Sequence, residues 1–103
     1  MIRGTTPTLT FNIKTDLDLT ELMKAEITFK SVYGSKEKTW DENELTIDPV
    51  EKQIILTLTQ EDTLYFNEGK INVQLRLKMQ NEKVYASDVV NTTLDKILKE
   101  GVI

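Results

Sequence analysis

Strict alternation of apolar and polar residues recurs along this chain and constrains its fold more than any other feature. Leu9, Phe11 and Ile13 share one parity in the first such run, and Met23, Ala25, Ile27 and Phe29 in the second. Ile54, Leu56 and Leu58 mark a third run. The longest places Ile71, Val73, Leu75, Leu77 and Met79 against Asn72, Gln74, Arg76 and Lys78. Successive side chains of an extended strand point to opposite faces, so each run predicts a strand with one buried and one wet face. The chain is therefore expected to fold as a small antiparallel β domain.

Strands are expected over about 8–14, 23–33, 36–40, 45–47, 53–59, 70–79 and 84–94. Gly34-Ser35 predicts a tight hairpin turn, because glycine reaches positive φ without steric cost. The 36–40 strand carries little apolar content and two lysines, the pattern of a short edge strand that resists pairing with other chains. Asp48-Pro49 predicts a turn with proline at its second position. In the loop over 15–20, Asp16 and Asp18 can accept bonds from their own downstream amides, and Leu17, Leu19 and Leu22 are expected to fold back onto the core. Thr59 followed three residues later by Asp62 resembles a capping box. One helical turn near residues 60–66 is expected there, crossing between sheets, with Leu64 and Phe66 plugging the core and Gly69 closing the turn. About seven strands, with turns every 8–12 residues, point to an all-β, immunoglobulin-like antiparallel β-sandwich. The Cys…Trp…Cys marker of true immunoglobulin domains is absent.

With 103 residues the chain reads as a single domain, 1–103, large enough for one core without staples. Residues 95–103 are expected to serve as a docking tail, packing either on their own domain or on a neighbouring subunit. No cysteine is present, so no disulfide framework is expected, in keeping with folding in a reducing cytoplasm. A net charge of −4 argues against a nucleic-acid footprint. The interspersed charges and the lack of a long apolar run predict neither a membrane anchor nor a membrane helix. The first residues lack the apolar stretch of a secretory signal.

The residue types that chemistry needs are scarce. There is no histidine for a proton shuttle or nucleophile–base pair. The four glycines, at 4, 34, 69 and 101, cannot build a phosphate-cradling loop. The acidic stretch of Asp41, Glu42, Glu44, Asp48 and Glu51 matches no calcium loop and reads as a solvated charge run. No enzyme, metal or cofactor is expected. Tyr33, Trp40, Tyr65 and Tyr85 are the aromatic residues that could stack on a sugar. Trp40 and Tyr85 are singled out as candidate interface or ligand contacts, with Trp40 also read as a partial core residue.

Three segments resemble a family of short prophage proteins of low-GC Gram-positive bacteria. They are Ile2-Arg3-Gly4-Thr5-Thr6-Pro7-Thr8 with Leu9-Thr10-Phe11, the run from Leu56 through Thr59-Gln60-Glu61-Asp62-Thr63-Leu64 to Phe66, and Val73-Gln74-Leu75-Arg76 through Tyr85-Ala86-Ser87-Asp88-Val89-Val90. More distantly, the strand order is similar to that of the N-terminal sandwich domain of phage upper-baseplate proteins. The resemblance implies a non-enzymatic virion component, a tail or baseplate module made in the cytoplasm without a signal peptide. Its implied partners are copies of itself or other tail proteins. The alternative expectation is a β-sandwich module that binds carbohydrate or a host surface.

Overall fold

The strand runs assemble into two antiparallel sheets packed face to face. The structure, a computed structural model, describes residues 1–14 and 16–103; Thr15, the first residue of the loop expected over 15–20, lies outside them. The smaller sheet has the order β1 (Thr8–Asn12), β5 (Gln53–Thr57), β4 (Thr46–Asp48). The larger has the order β3 (Glu37–Asp41), β2 (Leu22–Ser31), β6 (Gly69–Met79), with β7 (Val84–Ala86) and β8 (Val90–Leu94) both on the far side of β6. The helical turn α1 (Gln60–Tyr65) carries the chain from β5 to β6, from one sheet to the other.

The predicted buried parity is the observed core. Ala25, Ile27 and Phe29 from β2 and Ile71, Val73, Leu75, Leu77 and Met79 from β6 are buried, and Ile54, Leu56 and Leu58 face them from the smaller sheet. Leu9, Phe11 and Ile13 of the first run are half-buried against this cluster, as are Leu17 and Leu22, while Leu19 is fully enclosed. Each such aliphatic or aromatic side chain contributes about 1.5–3 kcal/mol on leaving water. These contacts between sheets are the main driving force for the sandwich.

Local signals hold where the sequence placed them. Gly34 takes a φ of +109° in the β2–β3 hairpin. The Asp48 carboxylate accepts from the amides of Val50 and Glu51, both at 3.1 Å, and so shapes the β4–β5 turn. The Asp18 carboxylate accepts from the amide and hydroxyl of Thr20 and caps a 3₁₀ turn at Leu19–Glu21. These Thr20 bonds hold its carboxyl below the ordinary value. At α1 the capping box is complete: Thr59 Oγ1 accepts from Asp62 N at 3.1 Å, and Asp62 Oδ2 accepts from Thr59 N at 2.9 Å.

Four details differ from expectation. Met23 is exposed, because a register shift between Leu22 and Lys24 turns Leu22 inward in its place. Gly69 opens β6 instead of closing the turn; α1 ends at Tyr65, with Phe66 already extended. Phe66 plugs the core, but Leu64 stays half-buried. The single strand expected over 84–94 is two. Arg76 pairs with Ala86 and Val73 with Val90, so the outer strand has one residue more than β6 between these pairs. Such a bulge reverses parity. Tyr85 faces the core side opposite Leu77 in β7, whereas in β8 the core-side positions are Val90, Thr92 and Leu94.

The tail returns to its own chain. Met1 donates its amino group to Thr93 O at 2.7 Å, Asp95 N donates to Met1 O at 2.7 Å, and Ile2 bridges Asp95 in parallel. Arg3 donates to Phe66 O at 2.8 Å and Leu64 O at 3.1 Å, and also pairs with Glu100. At the end of the tail, Ile103 N donates to the Gln60 side chain at 2.7 Å.

Candidate functional site

The two singled-out aromatics lie at opposite edges of the larger sheet. Trp40 is on β3 and Tyr85 on β7, with β2 and β6 between them. At about 4.8 Å per strand they are about 14 Å apart across the sheet, and two residues out of step along it, so they form no joint platform.

Of the two readings of Trp40, the candidate contact is corrected and the core position holds, more completely than the partial burial expected. It is 3% exposed and meets Phe29 edge to face, with ring centroids 4.9 Å apart. The register pairs it with Ile27, which sets it on the inner face of its strand. The Lys38 ammonium, two residues back on that same inner face, lies 5.3 Å from the ring centroid. The low apolar content of 36–40 hides this burial: an edge strand needs only one large apolar residue where it overlaps the core.

Tyr85 is 40% exposed. It lines a groove of about 180 Å³ at the open side of the sandwich, where the end of β1 passes over β6 and β7. Ile13, Leu17, Leu75 and Leu77 form its apolar floor and walls, and Asn12 and Lys14 stand at its rim. Ser87 fixes the neighbouring backbone: its amide donates to Leu75 O at 2.8 Å, and its hydroxyl accepts from Leu75 N at 3.0 Å. The sequence predicts both as core residues, Ile13 from the alternation and Leu17 as a loop residue folding back onto the core. Their place beside Tyr85 follows from the packing of one sheet on the other, for which the sequence carries no local signal.

A wider depression of about 280 Å³ lies on the outer face of the larger sheet. Lys24, Arg76 and Lys78 line it together with Glu26, Asp41 and Glu42, and Arg76 pairs with Glu26 at 3.3 Å. Its charges are balanced. The acidic stretch is spent on local structure: Asp41 and Glu44 form a capping box for the 3₁₀ turn Glu42–Glu44. Among the described residues no group of three or more acidic side chains is placed to hold a metal ion.

The other tyrosines are dispersed. Tyr33 is 82% exposed beyond the end of β2, and Tyr65 on α1 carries the Lys36 ammonium 5.5 Å from its ring centroid. Exposed apolar side chains gather instead at β7 and β8, where Val84, Tyr85, Val89 and Val90 follow one another along the sheet edge. Comparison with protein-family models, with curated proteins and with solved structures gives no match to this chain.

Proposed function

We propose that this chain is a non-enzymatic structural module of a phage or prophage tail or baseplate, acting by assembly with protein. The observation that carries this reading is the apolar strand edge at β7 and β8. Val84, Val89 and Val90 are each more than half exposed there, beside Tyr85. Such a cluster on a strand edge is characteristic of surfaces that other proteins cover. The fully exposed Leu98 and Ile103 of the tail add apolar surface of the same kind. The resemblance of the opening, α1 and β6–β8 segments to short prophage proteins supports the same reading. The test is particle association. Virions from an induced lysogen carrying the gene, purified by density gradient, should retain the protein in a fixed ratio to the major tail protein. Recovery only in the soluble fraction would overturn the proposal.

The groove beside Tyr85 favours a second reading, glycan binding. A half-exposed aromatic ring flanked by Asn12 and Lys14 is the arrangement that stacks on and hydrogen-bonds a sugar. Retention on a glycan array that is lost in Tyr85→Ala, with an unchanged circular dichroism spectrum, would establish it.

A further inference from the structure

We infer that the free edge formed by β7 and β8 takes the same edge of a second copy of this chain, antiparallel about a two-fold axis. The two larger sheets would then join into one. This inference rests on the assembly reading and names the partner and the mode of contact.

Apolar side chains are bared on both faces of this edge. Val84 lies opposite Lys78 and so belongs to the outer face; Tyr85 and Val90, opposite Leu77 and Val73, belong to the inner face. They are 56%, 40% and 53% exposed. A partner lying on either face would cover only one set. A strand added beside β7 and β8 covers both, because its own side chains alternate between the same two faces.

The main chain is turned the right way. Met79 N donates to Lys83 O at 2.9 Å and Ser87 N donates to Leu75 O at 2.8 Å. Lys83 and Ser87 therefore bond inward to β6, and by antiparallel alternation the polar groups of Val84 and Ala86 point outward. At the other end Thr93 O accepts from the Met1 amino group, and Ile2 bridges Asp95. Thr93 thus faces away from β6, and Asn91 with it. The N-terminus already extends the sheet at that end, leaving the edge open over 84–91.

Charge selects the occupant. Residues 84–94 carry one charged side chain, Asp88, in a chain that is 29% charged. The opposite edge strand β3 holds Glu37, Lys38 and Asp41. β4 has three residues and runs into Asp48-Pro49. β1 is uncharged, but its outer-face positions are Thr8, Thr10 and Asn12. Among the described strands, the 84–91 edge has uncharged strand residues with apolar groups on both sides, its one charge being Asp88 in the bulge between β7 and β8, and an identical edge is its complement. Two-fold pairing brings the same patch to itself and keeps the inner faces on one side, so Tyr85 of each copy meets Val90 of the other, with the axis between Ser87 and Asp88.

The test uses the full chain. Light scattering during size-exclusion chromatography, over a dilution series from near-millimolar to micromolar, should show a dimer that dissociates. Val90→Lys, at an exposed position, should weaken the dimer about tenfold or more without lowering the melting temperature of the dissociated chain at micromolar concentration, since a lysine on an edge opposes pairing. The chain has no native cysteine, so single substitutions report proximity: oxidised Asp88→Cys, at an exposed position beside the two-fold axis, should form a covalent dimer and Glu37→Cys should not. Should Val90→Lys fail to fold, amide exchange in the unmodified protein decides instead, because Val84, Ala86 and Asn91 should gain protection as concentration rises. A monomer at every concentration, a dimer indifferent to Val90→Lys, or equal cross-linking at Glu37→Cys would overturn this inference. The particle-association experiment would still stand or fall on its own result.

Discussion

The Lys38 ammonium lies 2.5 Å from a carboxylate oxygen of Asp62 and ties the edge strand β3 to the helical turn α1. Asp62 is 7% exposed, and its second oxygen caps the Thr59 amide. One carboxylate thus starts the helical turn and fastens it to the far edge of the larger sheet. Lys38 reaches it because it lies on the inner face of β3, opposite Phe29 and beside the Trp40 ring.

Asp62→Ala should lower stability by about 2–3 kcal/mol, because it leaves the Thr59 amide and the half-buried Lys38 ammonium without their acceptor. For a domain of this size the melting temperature should fall by about 10 °C or more. Lys38→Met, which keeps the stem over Trp40, should cost less. Thermal unfolding followed by far-ultraviolet circular dichroism measures both.

The same group makes stability depend on acid. Burial pushes the Asp62 carboxyl up, but the Lys38 ammonium together with the amide and hydroxyl of Thr59 outweighs it and holds the group below its ordinary 3.8. A carboxyl whose folded value is depressed binds its proton more readily in the unfolded chain. Its stabilisation is therefore complete above the ordinary value and is lost as pH falls through the lowered one. The gap in unfolding free energy between the native protein and Asp62→Asn should be constant near neutrality and close below about pH 4. Urea titrations across that range check it.

Trp40 is the only tryptophan and reports directly on the core. Its emission should be blue-shifted and poorly quenched by iodide in the native state. Trp40→Ala should cost about 3–5 kcal/mol, a large share of the roughly 5–15 kcal/mol that holds a domain folded. Trp40→Phe should be milder. Strong iodide quenching of the native protein would show the ring to be outside the core.

Gly4 should not tolerate a side chain. Its φ is +78°, and a Cβ there would lie 3.1 Å from Ile97 Cδ1, against Leu64 of α1. Gly4→Ala should destabilise by about 1–2 kcal/mol and loosen the tail, visible as faster cleavage after Lys96 and Lys99 in limited trypsin digestion.

How much was legible in the sequence follows from the range of the forces involved. Alternation is local, so Ile27, Phe29, Leu56 and Val73 announced their buried face without reference to any partner. The Thr59–Asp62 capping box and the turns at Gly34 and Asp48 span a few residues and were equally readable. Trp40 was legible only as a partial core or interface residue, since its full burial depends on where an otherwise polar edge strand overlaps the opposite sheet. Met23 and the 84–94 segment failed for a related reason: one unpaired residue reverses parity, and a bulge is defined only against the neighbouring strand. Tyr85 was recognised as a surface aromatic, but its groove was invisible, because Ile13 and Leu17 approach it only when the sheets stack.

By itself the sequence determined a two-sheet antiparallel sandwich and most of its core, because strand periodicity and turn chemistry act between near neighbours in the chain. Tertiary structure alone decided which edge stays open, where the aromatics point, and that Lys38 meets Asp62 across 24 residues. Those outcomes depend on register between distant strands and on how far one sheet covers the other, quantities that no local pattern encodes.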